Sequence, residues 1–295
     1  MKLATAEQIG LSSYTPNKDG ITKISKSSYM GYLMCPRQYW WNNIADVPRP
    51  PPTEAMVRGG QVHKVMEVGL LDGADAVPQA VVDEGVDVLD PAIESMTSLL
   101  HQIAWDLGGF DIVEVEKKHQ VFEKKHIDGI GQVEIIWVGM IDAVLRHPDG
   151  GLILTELKTG NMGVGKLQRT RRELCFYKMI LDKMNIYESI THFLYICPDY
   201  QLVVDREDKL LLEGSKKGKT LWLGDHNGIA ILEPVGSRSI NAFYKRLNDT
   251  LPNLFSHKWD MKWNDYFCMT WCDFNASCQQ EIHAAELGLE GDWNE

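Results

Sequence analysis

Two stretches of sequence, GMIDAV at residues 139–144 and LTELKTG at residues 154–160, determine the fold prediction. They belong to segments that alternate apolar and polar residues as strands do, and the HPDGG segment between them is typical of a turn. Asp142 lies seven residues before Asp149 of that turn, and Glu156 lies seven residues after it. In an antiparallel pair of strands, the two carboxylates are therefore equally far from the turn and can converge on one spot.

A lysine accompanies the second carboxylate. Glu156 and Lys158 are two residues apart, so their side chains point to the same face of a strand. Two carboxylates at close range repel each other unless a cation lies between them, and Mg²⁺ or Mn²⁺ with oxygen ligands suits such a set. A metal ion held there could polarise a phosphodiester while the lysine stabilises charge on the phosphate. The alternative is a surface ion pair at a hairpin, with Asp142 unrelated to it.

A histidine on a predicted helix is a further candidate ligand. The segment VRGGQVHKVMEVGLL, residues 57–71, places His63 and Glu67 one helical turn apart. Gly59 and Gly60, just before them, permit close approach of another backbone. His63 is a candidate nitrogen ligand to the same metal, and the alternative is a histidine satisfied within the core.

The order of these short motifs resembles that of the PD-(D/E)XK nuclease superfamily, in its RecB-like branch. In chain order the motifs are Gly60-x-x-His63, Gly139-x-x-Asp142, Glu156-x-Lys158 and Glu173-x-x-x-Tyr177. The branch carries glutamine where Glu173 stands, which leaves the role of Glu173 open and supports Tyr177. Ile141 stands where the family usually has proline, and the aspartate after it is the residue that binds metal.

The resemblance implies a metal-dependent DNA nuclease, in particular an exonuclease that hydrolyses single strands or duplex ends with low sequence specificity. It implies Mg²⁺ or Mn²⁺ held by His63, Asp142, Glu156 and the main-chain carbonyl of Leu157. It also implies a catalytic set made of Asp142, Glu156, Lys158 and Tyr177. An acid-free basic run at the start of the next helix is expected to bind DNA phosphates through Lys166, Arg169, Arg171 and Arg172.

Four of the six cysteines suggest a metal cluster. Cys35 lies in SYMGYLMCPRQYWW, residues 28–41, and the C-terminal segment CMTWCDFNASC carries Cys268-x3-Cys272-x5-Cys278. Three clustered cysteines need a fourth ligand, Cys35 is the candidate, and four thiolates hold either Zn²⁺ or an iron–sulfur cluster. The remaining two, Cys175 and Cys197, fit the apolar pattern of a helix and a strand as buried thiols.

The division into one distant cysteine and a C-terminal trio resembles that of the iron–sulfur nucleases of the same branch. These are the AddB-type helicase-nuclease subunits and the CRISPR-associated RecB-like exonucleases. The resemblance implies a [4Fe-4S] cluster that joins the first helix to the last segment. The family more often has two residues than three between the first two cysteines of the trio, so an altered cluster or zinc stays open.

Composition sets outer limits on function. The chain of 295 residues has a formal net charge of −11, which argues against a protein coated in basic residues. No run of 18 apolar residues is present and residues 1–20 lack an apolar signal core, so we expect no membrane span and a cytoplasmic location. No GxxxxGK[ST] motif is present, so any unwinding of DNA would come from a helicase or recombination partner, in a role such as DNA repair.

The order of predicted elements is helices, a strand meander, a helix and further strands. It predicts a single α/β domain over residues 1–295, with a restriction-endonuclease-like core in which helices flank a mixed sheet. The predicted parts are an N-terminal helical part at 25–109, a catalytic core at 110–200 and a C-terminal part with the cysteine trio at 201–295. In detail we expect one helix from Ser25 to Trp41, a loop at 72–90 and a last helix from Ser237 to Ser256.

Two other classes of function remain open at this point. One is a non-catalytic DNA-binding or assembly subunit that has kept the nuclease fold, although such a subunit has no need for Asp142, Glu156 and Lys158. The other is a structural protein stapled by zinc. Bound iron would favour the nuclease with a cluster, and bound zinc in a colourless protein would favour the structural protein.

Overall fold

The described elements follow the predicted order of helices, a strand meander, a helix and further strands, except that a short strand at Ile21–Ser25 precedes the first helix and further helices follow Phe255. The structure is a computed structural model that describes residues 21–45, 51–160, 164–185, 187–199 and 218–286. The strands are β1 (Ile21–Ser25), β2 (Ile112–Ile127), β3 (Gly131–Arg146), β4 (Leu152–Leu157), β5 (Ile190–Cys197), β6 (Thr220–Leu223) and β7 (Ile229–Pro234). The helices are α1 (Lys26–Met34), α2 (Pro36–Asn43), α3 (Glu54–Leu71), α4 (Val77–Asp83), α5 (Pro91–Leu107), α6 (Val164–Met184), α7 (Ser237–Phe255), α8 (Asp265–Trp271) and α9 (Asn275–Glu286).

The larger of two compact units, residues 52–119 and 139–243, is built on a mixed sheet. The second half of β3 runs antiparallel to β4, and β4 runs parallel to β5. Strand β7 is antiparallel to both β5 and β6. The result is an open sheet of mixed direction with helices packed on it, as the sequence predicts for a restriction-endonuclease-like core.

The core of this unit lies where α3 and α5 pack against the sheet. Val65, Met66 and Leu100 from the helices meet Ile153 and Leu157 of β4, and all five side chains are buried. Because side chains alternate along a strand, this packing leaves Glu156 on the opposite face of β4 from its neighbours. Helix α6 packs on β4 and β5, and its Glu173 reaches Lys158 just beyond β4.

The smaller unit takes in the described residues before 52, together with 120–138 and 244–286. Strand β1 runs parallel to the first half of β3, with Ile24 opposite Trp137. In this unit Tyr39 stacks on Trp259, with ring centroids 5.7 Å apart, and the Tyr32 hydroxyl donates to the Lys258 carbonyl. Aromatic packing thus joins its N-terminal and C-terminal segments. The assignment of residues 1–295 to one domain stays a prediction.

The predicted helix from Ser25 to Trp41 is in fact two helices. Ser25 ends β1 and caps α1, with its hydroxyl accepting from the Ser28 N–H. Cys35 is extended, with φ −152° and ψ 113°, and separates α1 from α2. The cause is Pro36, since proline disfavours helical backbone in the residue before it and lacks the N–H that would continue the ladder.

Two further expectations for secondary structure were wrong. The expected loop at 72–90 contains α4, because Val77, Ala80 and Val81 share one face and bury it in the core. Gly73, Pro78 and Gly85 are residues typical of loops, and they outweighed the helical spacing in the prediction. The helix beginning at Ser237 is not the last, since α8 and α9 follow it and carry the cysteine trio.

None of the described helices has both the length and the apolar composition required to cross a membrane. The signal-peptide prediction concerns residues 1–20, which lie outside the described residues.

Candidate active site

The hairpin of β3 and β4 brings the two predicted carboxylates together. Ala143 pairs with Thr155, so Asp142 and Glu156 are the next residues along the same register. The Leu157 N–H donates to the Asp142 carboxylate at 2.7 Å. Asp142 and Glu156 are 6% and 1% exposed, which excludes the alternative of a surface ion pair at the hairpin.

Burial and mutual repulsion make this carboxylate pair costly without a cation. Burial, and next the negative charge of Glu156, raise the pKa of Asp142 above its ordinary value. The nearby charges of His63 and Lys158 and the Leu157 N–H act in the opposite direction but do not cancel the shift. Loss of solvation and a like charge both disfavour the ionised carboxylate, and a divalent cation between the two would remove both penalties.

His63 reaches the same spot from α3. Its Nδ1 lies 3.7 Å from Asp142 Oδ2 and 3.5 Å from Glu116 Oε1. Burial lowers the pKa of His63, but contact with Glu116 and the charges of Asp142 and Glu156 outweigh it, and the net shift is upward. His63 therefore lies in an acidic cluster, and its role as a metal ligand stays a prediction.

Glu116 of β2 is a residue of this site that the sequence reasoning missed. Its backbone is left-handed, with φ +46°, and among the described residues no hydrogen-bond partner meets its buried Oε1. One ligand atom each from His63, Glu116 and Asp142 lies within 4.8 Å of the other two. A strained residue whose buried carboxylate oxygen has only the long 3.5 Å approach of His63 Nδ1 fits a cation ligand, because a cation would satisfy that oxygen.

Lys158 stands between two buried carboxylates. Its ammonium contacts Glu156 of β4 and lies 2.9 Å from Glu173 Oε2 of α6. The other oxygen of Glu173 is 3.4 Å from Arg169 Nε, one helical turn earlier. The site thus holds its lysine by ion pairs on both sides.

Tyr177 lies one turn after Glu173 and packs against β3. A Cβ atom on Gly139 would come within 2.8 Å of the Tyr177 ring, so glycine is required for this approach. Burial, followed by the charges of Glu156 and Asp142, raises the pKa of Tyr177 far above its ordinary value. Its hydroxyl therefore stays protonated and acts only through hydrogen bonds.

An arginine clamp holds the start of α3 near the loop after β4. The Arg58 guanidinium binds both oxygens of Asp90 at 2.5 and 2.6 Å, and both oxygens of Asp199 at 2.8 and 2.9 Å. Asp199 also accepts from the Gly160 N–H, two residues after Lys158. This clamp links the helix that carries His63 to the loop that follows Lys158, and it joins residues too distant in sequence to be paired by pattern.

The predicted phosphate-binding cations have different surroundings on α6. Arg171 is bound by both oxygens of the buried Glu233, which Lys219 also contacts. Lys166 donates to the Thr159 carbonyl at 3.2 Å, and burial lowers its pKa. Arg169 has a side chain that is 45% exposed, and Arg172 is half-buried. Arg169 is thus better placed to meet a phosphate than Arg171.

In the smaller unit burial raises the pKa of the Cys272 thiol, and Cys35 and Cys268 lie close enough to raise it further. Among the described residues, however, no three of the four cysteine sulfurs lie within 4.8 Å of one another. Cys35, Cys268 and Cys278 are buried, and the Asn264 N–H donates to the Cys268 sulfur at 3.4 Å. Burial raises the pKa of Cys278 to about 12, and the charges of Cys272 and Cys35 add to that shift. Burial on its own keeps these thiols protonated, so they would become thiolate ligands only with a metal or cluster bound, and that role stays a prediction.

A mixed sheet with buried carboxylates and a lysine on neighbouring strands is the arrangement of a nuclease site. The profile of the PD-(D/E)XK nuclease superfamily matches residues 23–279, and the chain belongs to this superfamily. No curated protein matches the chain. A solved structure, the crystal structure of SSO0001, is similar over 88% of this chain and 86% of that chain, at 12% identity. Its TM-score of 0.37 adds nothing to the family assignment.

Proposed function

We propose that this protein is a metal-dependent DNA nuclease, an exonuclease that acts on single strands or duplex ends with low sequence specificity. The observation that carries the proposal is the convergence of His63, Glu116 and Asp142 within 4.8 Å of one another, with Glu156 and Lys158 beside Asp142 in the hairpin. Such a set is costly to bury as it stands, and a divalent cation makes it favourable. A non-catalytic subunit of the same fold has no physical reason to retain it.

The residues have distinct roles in this proposal. His63, Glu116, Asp142 and Glu156 would hold Mg²⁺ or Mn²⁺, which when bound supplies Lewis-acid polarisation of the phosphodiester and a more acidic water. The N–H of Leu157 faces Asp142, and in an extended strand the N–H and C=O of a residue point to the same side, so its carbonyl suits a fifth ligand. Lys158 would orient the attacking water or stabilise charge on the phosphate, and the protonated Tyr177 would donate to the DNA.

DNA would bind mainly through its phosphates. Lys166, Arg169 and Arg172 lie on the first half of α6, ahead of Tyr177, and would track the backbone of the strand being cut. Arg171 would contribute less, because Glu233 binds it through both carboxylate oxygens, whereas Arg169 is more exposed and meets Glu173 only at 3.4 Å through Nε. Contacts to phosphates carry no sequence information directly, which supports low sequence specificity.

A [4Fe-4S] cluster on Cys35, Cys268, Cys272 and Cys278 would staple the two ends of the described chain. The enclosed thiols and the backbone N–H aimed at Cys268 support such a group. Its role would be structural, since its ligands connect α1 and α2 with α8 and α9. Zinc on the same thiols is the alternative, and metal analysis of the purified protein separates the two.

The proposed function is tested by incubating the purified protein with end-labelled single-stranded and duplex DNA, with Mg²⁺, Mn²⁺ or EDTA. We expect cleavage with either metal and none with EDTA. Mononucleotides released progressively from an end would support an exonuclease, whereas internal cuts in circular DNA would support an endonuclease. DNA binding without cleavage under every condition would favour the non-catalytic subunit.

Glu116→Gln is expected to weaken metal binding. The amide keeps the shape of the side chain but loses the charge that complements a cation, so the Mn²⁺ concentration for half-maximal cleavage should rise about tenfold or more. Direct Mn²⁺ titration by calorimetry checks the same effect without DNA. Glu67→Gln is the matched control, because Glu67 has a similar exposure and lies one turn from His63. Equal Mn²⁺ affinity in the two variants would remove Glu116 from the ligand set.

Arg169→Ala and Arg171→Ala are expected to differ. Loss of Arg169 should weaken DNA binding equally across sequences and reduce the slope of log K against log salt by about one. Loss of Arg171 should leave that slope unchanged and lower the thermal midpoint, because buried Glu233 loses its bidentate partner. Binding measured by fluorescence anisotropy at several salt concentrations, with melting curves, checks both. A salt slope reduced by Arg171→Ala and not by Arg169→Ala would reverse the assignment.

A further inference from the structure

Glu173 departs from the glutamine that the RecB-like branch carries at this position, and its surroundings explain the added charge. The side chain is 7% exposed, which makes an unpaired carboxylate costly there. One oxygen meets the Lys158 ammonium at 2.9 Å and the other meets Arg169 Nε at 3.4 Å. Both oxygens of the buried carboxylate are thus matched by cations.

The contact between Glu173 and Lys158 would matter most when a metal ion is bound. Glu156 also contacts Lys158, but Glu156 is a proposed metal ligand, and an oxygen that coordinates a cation is a weaker partner for the lysine. Glu173 is outside the ligand set, so its hold on Lys158 is unaffected by the metal. The lysine then depends on Glu173 to keep its ammonium in a fixed place beside the phosphate.

We propose that Glu173 is a positioning residue. One of its carboxylate oxygens holds the Lys158 ammonium, and Arg169 neutralises its other carboxylate oxygen. The inference rests on the proposed nuclease function and assigns a role to a residue that the family motif leaves open in this chain. Arg169 is part of the arrangement, since without it the second oxygen of Glu173 would present an unbalanced negative charge to the DNA. Removing Glu173 would take away the ion pair with Lys158 that a bound metal does not weaken.

The test compares two variants of similar size. Glu173→Met fills the space but offers no acceptor, and Glu173→Gln keeps one acceptor oxygen without the charge. We expect Glu173→Met to lower kcat about ten- to a hundredfold, as misplacement of a catalytic group does, with KM changed less than about threefold. Glu173→Gln should recover much of that loss, and the thermal midpoint of neither variant should fall.

Asp182→Asn is the control, because it removes the acid of another i,i+4 ion pair, Lys178–Asp182, on the same helix. Its kcat should equal that of the wild type. The inference would be overturned if kcat of Glu173→Met were within twofold of the wild-type value. It would also be overturned if a loss of kcat came with an equal rise in KM and a lower thermal midpoint. If the wild type cleaves DNA and Lys158→Ala does not, the proposed function stands whatever Glu173→Met shows. If the wild type never cleaves, both fall.

Discussion

Glu156→Ala and Lys158→Ala are each expected to abolish DNA cleavage, with rates lower by about a thousandfold or more. Glu156 is 1% exposed and opposite Asp142 in the hairpin register, so its loss would remove a proposed metal ligand that no other carboxylate of β4 can replace. In the proposed mechanism Lys158 would place a positive charge beside the phosphate, and a neutral water could not replace that charge. The losses should not add in the double variant, because the two residues act on the same step.

The fold should survive both substitutions. Removing Glu156 relieves its repulsion of Asp142 in the metal-free protein but also takes away one ion pair of Lys158, so the thermal midpoint without metal should change little. With Mn²⁺ added, the wild type should gain in midpoint and Glu156→Ala should not, since only a bound ligand stabilises the folded state. Lys178→Ala, on the same helix as Tyr177, is the control for loss of a lysine. Cleavage above about a tenth of the wild-type rate in either variant would contradict the site assignment.

Cys35→Ala is expected to lose the proposed cluster as completely as Cys278→Ala does, although the two cysteines are 243 positions apart in the sequence. A cluster that lacks one thiolate is labile, and its binding energy is also folding energy because the unfolded chain has no preformed site. The thermal midpoint should therefore fall together with the iron content. The measurement is iron per protein and midpoint for each variant, purified without oxygen.

Cys197→Ala provides the control for loss of a buried thiol. Cys197 lies in β5 within the larger unit and is fully buried, and burial raises its pKa to about 12. Its replacement should cost on the order of 1 kcal/mol and leave the iron in place. Full iron occupancy in Cys35→Ala would show that Cys35 is an ordinary buried thiol. If the wild-type protein contained zinc and no iron, the four cysteines would still link the two segments, but through zinc.

The sequence by itself was sufficient for features that depend on local rules. Alternation with a period of two and a turn rich in proline and glycine predicted the hairpin, and with it the pairing of Asp142 and Glu156. The same alternation placed Glu156 and Lys158 on one face. The break of the first helix at Cys35 was also readable, because Pro36 acts on the residue before it, but the helix was predicted as continuous.

Tertiary structure decided what reaches the hairpin from elsewhere. Glu116 enters the site only because a left-handed residue in β2 turns its carboxylate toward His63, and no spacing rule reports that conformation. Glu173 meets Lys158 only because α6 packs on β4, and Arg171 is drawn to Glu233 for the same kind of reason. Side-chain charges in a basic run look equivalent in the sequence. The partner of Arg171, Glu233, lies on a strand more than 60 residues further along the chain. Packing therefore determines which of the basic side chains remain available for DNA.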